Sequence, residues 1–247
     1  MGIANESCNV SPTILKNGSH RNLFGALCVI ISEMNDQLTR EKSTRDNIVE
    51  TARGLFFEQG YNATGIAQIL AKSGAHSGSL YHFFPAKEDL LLAVLKQYKE
   101  MLLPMVIEPA RGRVAEPIDR IFSVLHGYRL LLEATDFRLG CPIGNLALEV
   151  SNSHPNPRAL IKENFDGWLR EVERLIEEAR GYLPANVDSA RLSMLLLATM
   201  EGAVMLARTY RSLEPFDQAV IGLRELFDQL VITGTDWSAP RSQKQTT

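Results

Sequence analysis

Cysteine is scarce in this chain. Cys8, Cys28 and Cys141 are the only three in 247 residues, an odd number at unrelated spacings. Neither a disulfide framework nor a thiolate metal site follows, and a reducing cytoplasm is the expected compartment. No apolar run reaches about 18 residues, so no membrane span is expected. Alternation of apolar and polar residues at strand spacing is missing over any useful length, and no internal repeat is visible. A basic excess is missing too: 26 Lys and Arg stand against 29 Asp and Glu, for a formal charge of −3. That excludes a protein whose whole surface is basic for nucleic acid, and leaves only a local basic face. No cofactor is expected.

What is present is ordinary apolar content and helical periodicity. Hydrophobic residues make up 45% of the chain, enough for a core at a length that suits one large or two small domains. Residues 1–39 differ from the rest. They hold Asn, Ser and Gly and then an apolar stretch at 23–31. A secretory signal behind Lys16, His20 and Arg21 is disfavoured, because Glu33 and Asp36 follow and no small-x-small cleavage site is evident. A translation start at Met34 fits better, with a loose tail or an added helix as the remaining alternative.

From Thr44 onward the pattern is helical. Thr44 is the expected N-cap of a first helix, with Asp46 in its first turn, and Ile48, Ala52, Leu55 and Phe56 form an apolar face that Gly60 closes. A second helix is expected from Thr64, as its cap, to just before Gly74, burying Ile66, Ile69 and Leu70. A third spans residues 77–83, Pro85 breaks the chain, and a long helix covers 86–103 with Leu90, Leu91, Val94, Leu95 and Tyr98 on its inner face. Beyond Pro104 and Pro109, helices are predicted over 118–135, 142–152, 157–181, 188–213 and 215–233.

The two short helices around Gly74 have the layout of a helix-turn-helix, whose second helix enters the DNA major groove. Such a helix needs short hydrogen-bonding side chains at its start, where base edges are met. His76, Ser77 and Ser79 meet that demand, and Gly78 lets backbone approach DNA. Tyr81 and His82, one turn on, are placed to donate to phosphates, while Leu80 and Phe84 point back into the domain. Thr64 and Lys87 stand at helix starts, where backbone amides also attract phosphate. From Arg40 to Glu100 eight basic side chains face seven acidic ones, so roughly 3–5 phosphates neutralised per subunit is expected. A surface αα-hairpin or a protein-binding adaptor is the bland alternative.

The run Thr44-Arg45, Ala52, Leu55-Phe56, Gly60-Tyr61, Ala63-Thr64, Ile69, Gly74, Gly78-Ser79-Leu80-Tyr81-His82-Phe83-Phe84-Pro85 and Lys87-Glu88-Asp89-Leu90 resembles the DNA-binding domain of the TetR family. The resemblance implies an all-α chain with a three-helix N-terminal DNA-binding domain at residues 40–86. It further implies a linking helix at 87–103 within a larger ligand-binding and dimerisation domain at 87–235, a tail at 236–247, and no enzymatic activity. It also implies DNA contacts at Thr64, Ser79, Tyr81, His82 and Lys87. Three positions depart from the pattern. Ser77 stands where a basic residue is common, Leu70 where a small one is favoured, and Ala86 where a capping Ser or Asn is usual, a loss of about 1 kcal/mol at that helix start.

Farther on the resemblance thins, and physical logic takes over. Leu192, Leu195, Leu196, Thr199, Gly202, Ala203 and Leu206 form one apolar stripe, and Phe216, Val220, Leu223, Phe227 and Leu230 a second. Leu195, Thr199, Gly202, Ala203, Leu206, Val220, Leu223 and Phe227 are therefore expected to pack against a second copy as a four-helix bundle, with intrachain core as the simpler alternative. A palindromic site needs two readers about 34 Å apart, which favours the dimer.

A small-molecule pocket is expected among Phe122, Leu125, Tyr128, Arg129, Phe137, Cys141, Asn145, Glu149, Phe165, Trp168 and Val172, which mix apolar bulk with a few polar groups. Cys141 precedes a proline-started helix and follows Arg138, two features that lower a thiol pKa. A redox or electrophile sensor is thus a second reading, since some members of the resembled family respond that way. A thiol enzyme is a weaker one, because no triad pattern accompanies the cysteine. The simpler alternative is a small buried hydrophobe. The sequence therefore points to a homodimeric, ligand-responsive regulator of transcription that binds a double-stranded DNA operator, a repressor before an activator, acting in the cytoplasm.

Overall fold

The computed structural model describes residues 43–231. The expected N-terminal extension, Cys8, Cys28 and the 236–247 tail lie outside the described residues. Among the described residues the chain is helical and has no strand. In order, the α-helices are α1 (Thr44–Gln59), α2 (Ile66–Ser73), α3 (Ser77–Phe83), α4 (Lys87–Leu102), α5 (Glu108–Arg113), α6 (Pro117–Ala134), α7 (Pro142–Val150), α8 (Pro155–Glu178), α9 (Ser189–Tyr210) and α10 (Glu214–Leu230).

The caps correct two expectations by one residue each. α1 is capped by Ser43, whose Oγ accepts from the Asp46 amide at 3.2 Å, and not by Thr44. α2 starts at Gly65, and the Gln68 side chain reaches back to accept from the Gly65 amide at 2.9 Å. Thr64 is buried instead, its hydroxyl donating to the Gly60 carbonyl at 2.7 Å. Gly74 closes α2 at φ +67, a left-handed backbone that favours glycine. Ala86 lacks a capping side chain, but Asp89 accepts from the Ala86 amide at 2.9 Å and offsets part of that loss.

Pro104 does not stop the chain's helical course. α4 runs into a π-helical turn, Leu103–Ile107, and then α5. A widened turn relieves the clash of a proline ring and tolerates its missing N–H.

Two apolar cores form. The first joins Ile48, Ala52 and Phe56 of α1, Ile69 of α2, Leu80 and Phe84, and the fully buried Leu90, Leu91, Val94 and Leu95 of α4. It does not stop at residue 86 or at α4, because Leu146 and Val150 of α7 and Ile161 of α8 belong to it. The second core gathers α6, α8, α9 and α10 around Trp168, Val172, Leu196, Met200, Phe216 and Phe227. Helix α9 has a mean hydropathy of 1.5 over its most apolar window, enough by length and composition alone to cross a membrane. It qualifies because the short runs of the sequence are joined by Thr, Gly and Ser. Its packing against α8 and α10 and its Glu201 and Arg208 mark it as a core helix.

The burial pattern corrects the expected dimer face. Ala203, Leu223 and Phe227 are 3%, 5% and 0% exposed and serve their own chain's core. Leu195 and Leu206 are exposed, together with Met194, Met205 and Ile221, while Thr199, Gly202 and Val220 are half-buried beside them. Ala203 stands one step of about 100° around the helix from Gly202, which turns it from the exposed stripe into the core.

Buried Asn164 ties the cores together. Its Nδ2 donates to the Leu95 carbonyl of α4 at 3.1 Å and to the Leu160 carbonyl of α8 at 2.9 Å. Asn164→Ala should lower unfolding stability by about 1–2 kcal/mol, read as a lower urea midpoint with unchanged slope.

Candidate functional site

Two places on the chain combine exposed polar groups with a fixed scaffold. The first is the outer edge of α3. Asn47 of α1 donates from Nδ2 to the Ser73 carbonyl at 2.7 Å, fixing the end of α2 and the turn at Gly74. Leu80 is fully buried and Phe84 nearly so, with the Arg45 guanidinium 5.3 Å from the Phe84 ring centroid. These contacts anchor α3 from behind. In front, His76, Ser77, Gly78, Tyr81 and His82 are exposed and Ser79 is half-buried. A Cβ at Gly78 would meet nothing within 4 Å, so nothing in the chain itself fills that side.

Two of the expected contact residues are occupied elsewhere. Thr64 is 1% exposed, and besides donating to Gly60 it accepts from Gln59 Nε2 at 3.1 Å, so its hydroxyl is not at the α3 edge. Lys87 donates from Nζ to the Tyr61 carbonyl at 2.5 Å and lies 4.1 Å from the Tyr61 ring centroid. Burial pushes the Lys87 pKa down, and the nearby Glu149 carboxylate acts against that shift.

The second place is a cavity of about 760 Å³ between α7, α9 and the end of α1. Of the expected pocket residues it is lined by Phe137, Cys141, Asn145 and Phe165. Sequence reasoning missed Glu201, Gly202, Met205 and Arg208 of α9, and Glu58 of α1. A signal existed: Glu201 and Arg208 lie two turns apart on one face of a mostly apolar helix, where a buried charge needs a reason.

The other expected pocket residues are elsewhere. Leu125, Trp168 and Val172 are buried in the second core. Phe122 stacks edge-on against Phe227 at 5.4 Å, under the Arg224 guanidinium. Arg129 is held by Asp217, with Nε–Oδ1 at 2.7 Å and Nη2–Oδ2 at 3.1 Å. Tyr128 packs against the second core, and burial first, then the neighbouring Cys141, raises its pKa well above the ordinary phenol range. Glu149 turns the other way and binds two backbone amides, Tyr61 at 3.2 Å and Asn62 at 2.9 Å.

Close to half of the residues lining the cavity are polar or charged. Arg208 donates from Nη1 to Asn145 Oδ1 at 2.7 Å and from Nη2 to the Arg138 carbonyl at 3.1 Å. Glu201 Oε1 and Arg208 Nε are buried and have no hydrogen-bond partner. Burial raises the Glu201 pKa, and a hydrogen bond with Cys141 opposes the shift. Asp136 and Phe137 both have positive φ, +48 and +57, an uncommon pair for side chains with a Cβ. The Asp136 carbonyl accepts from Arg211 Nη1 at 2.5 Å, which helps hold this loop.

Cys141 is buried, as the simpler reading of a small hydrophobe expects, and is not a low-pKa thiol. Its Sγ accepts from the Gly144 amide at 3.5 Å, as a helix cap does. Burial and then the Glu201 carboxylate nevertheless hold its pKa well above the ordinary thiol range, outweighing the Gly144 and Ile143 amides. That environment disfavours the thiolate that both an electrophile sensor and a thiol enzyme require.

Residues 48–94 match the family model "Bacterial regulatory proteins, tetR family". Residues 117–220 match "Transcriptional regulator LmrA/YxaF-like, C-terminal domain". An HTH-type transcriptional regulator of Mycobacterium tuberculosis H37Rv is 34% identical over 188 residues, spanning 74% of this chain and 93% of that protein. The HTH-type transcriptional regulator YxaF of Bacillus subtilis is 31% identical over 179 residues, spanning 72% and 92%. Among solved structures, a TetR transcriptional regulator from Chloroflexus aurantiacus J-10-fl aligns with a TM-score of 0.67 at 33% identity, covering 76% of this chain and 96% of its own.

The thiol environment has a direct consequence. At pH 8, iodoacetamide should label Cys141 at least about tenfold more slowly in the folded protein than in urea, followed by mass of the peptide that contains it. Equal rates would refute the buried, acid-flanked thiol.

Proposed function

The chain belongs to the TetR family of transcriptional regulators, and from that premise we propose that it is a homodimeric repressor, released from a palindromic operator by a small molecule. The observation that carries the proposal is the outer edge of α3. Short polar groups line it on one side, and Leu80 and Phe84 fasten it on the other. His76, Ser77, Gly78 and Ser79 meet base edges, and Tyr81 and His82 donate to phosphates. Thr64 and Lys87 contribute differently. Thr64 fixes the entry to α2, and Lys87 fastens α4 to the preceding turn while adding positive charge near the backbone of the duplex.

The dimer face is the exposed stripe of α9 with one edge of α10. Met194, Leu195, Ala198, Thr199, Gly202, Met205 and Leu206 recur at helical spacing, and Ile221 and Val220 lie on the neighbouring helix. A contiguous apolar patch of this kind favours a partner over water. A Cβ at Gly202 would meet nothing within 4 Å, which leaves room for a closely packed second helix.

The effector cavity is the one bounded by α7 and α9. Its lining mixes apolar residues such as Phe137, Phe165 and Met205 with polar ones, among them Asn145, Glu201 and Arg208. An orphaned acceptor on Glu201 and an orphaned donor on Arg208 favour a ligand with an apolar body that both donates and accepts hydrogen bonds. Such a ligand lowers operator affinity only as far as it binds the released state more tightly, and a hundredfold loss needs about 2.7 kcal/mol of coupling. The protein acts on DNA in the cytoplasm and catalyses no reaction.

A gel shift with the DNA upstream of the protein's own gene tests the reading. With 6–10 phosphates contacted per dimer, binding should weaken by about 10³–10⁵ between 50 and 200 mM salt. Tyr81→Phe should lose about fivefold in affinity for every sequence bound, the equivalent of one hydrogen bond. Leu195→Glu combined with Leu206→Glu should sediment as a monomer and lose at least about a hundredfold in operator affinity. A wild type that binds no fragment at low salt, or a dimer that survives both charges, would refute the corresponding part.

A further inference from the structure

Helix α7 has two ends in two different environments. Its first turn forms a wall of the cavity: Asn145 accepts from Arg208, and Gly144 lies against the Glu201 carboxylate. A Cβ at Gly144 would overlap that carboxylate. The last turn, with Glu149 about 7.5 Å beyond Gly144 at ~1.5 Å per residue, grips the DNA-binding domain. There the two oxygens of Glu149 accept from the consecutive amides of Tyr61 and Asn62, 88 and 87 residues away in sequence.

The grip is built from both sides. Gly60 has φ +89, and a Cβ there would fall 2.5 Å from Glu149 Oε1, so the turn approaches this closely because residue 60 is glycine. Lys87 holds the carbonyl of the same Tyr61 whose amide Glu149 holds. The Tyr61 ring packs edge-on against His154, just beyond α7, at 5.5 Å. The turn itself is tied to α2, because Thr64 donates to the Gly60 carbonyl and Gln59 donates to Thr64 and to Gln68. Leu146 and Val150 meanwhile place the buried side of α7 in the first core, with α1 and α4. The Glu149 carboxylate and the shared core thus join α7 to the base of the helix-turn-helix.

We propose that Glu149 is a positioning residue that links operator binding to the state of the cavity. With the cavity empty, its carboxylate holds the turn of residues 60–62. A ligand that parts Gly144 from Glu201 moves α7 and draws the carboxylate off the two amides, freeing the α2–α3 unit from its DNA-competent position. The proposal rests on the reading of the cavity as the effector site.

The test needs no effector. Gly144→Ala places a methyl group where a ligand would press, and Glu149→Gln leaves one carbonyl oxygen for two amides. In the full-length protein, amide exchange at Tyr61 and Asn62 is measured by NMR, and binding to upstream DNA by gel shift. Gly144→Ala should speed exchange at both amides and weaken DNA binding, each by about tenfold. Glu149→Gln should do the same alone, and the double variant should be no worse than Glu149→Gln. Glu201→Ala, by removing the overlapping carboxylate, should restore protection to Gly144→Ala, which separates transmission from misfolding.

Protected amides in Gly144→Ala, effects that multiply in the double variant, or no rescue by Glu201→Ala would each overturn the proposal. The exchange measurement is independent of DNA. Amides that respond as expected in a protein that binds no upstream fragment would sink the regulator reading and leave the link between cavity and turn intact. Operator binding with unresponsive amides would do the reverse.

Discussion

The apolar face of α4 is the constraint on which the rest of the architecture depends. Leu90, Leu91, Val94 and Leu95 are fully buried, and they complete the core of the small N-terminal helices, which is too small to close without them. The same helix packs along α8, where Asn164 bonds both partners, so the reading unit and the body share one structural member. Each fully buried leucine contributes roughly 1.5–3 kcal/mol, so the shared face outweighs any single polar contact between the two parts. The π-helical turn after Leu102 preserves continuity where Pro104 and Pro109 would otherwise break it.

Polar contacts then decide where the parts sit rather than whether they hold. Glu149, Lys87 and Thr64 all converge on the short turn between α1 and α2, and each engages its backbone. Backbone partners fix position without depending on a second rotamer, so one carboxylate and one ammonium define the placement of the turn. The cavity behind α7 is less settled. Glu201 and Arg208 each keep an unpaired buried atom, and Phe137 sits in left-handed backbone beside them. Unsatisfied groups and uncommon backbone are thus gathered in one place.

Much of the fold was legible in the sequence for identifiable reasons. Gly60, Gly74 and Pro85 punctuate the first helices, and the apolar periods of α1 and α4 name most of their buried residues, missing Val49 and adding the half-buried Tyr98. The edge of α3 was legible because short polar residues after a glycine turn form a local pattern. Caps were misplaced by one residue, since Ser43 and Thr44 are chemically alike as caps and only the observed bond to Asp46 separates them. The pocket was legible in part. Phe137, Cys141, Asn145 and Phe165 lie within or near one local segment, whereas Glu201 and Arg208 approach them from 60 residues away. Glu149 is the plainest gap. Its partners are amides 87 and 88 residues distant, and backbone donors leave no trace in the side chains a sequence displays.

The open space at Gly78 bears on how such a chain diverges. Because nothing beyond its chain neighbours and its own helix backbone lies within 4 Å of where its Cβ would be, a small side chain can be installed there without disturbing Leu80, Phe84 or the helices behind them. The outer face of this helix is thus free to change during divergence while the scaffold behind it is inherited intact, so what the surface presents and what keeps the fold together are set by different residues.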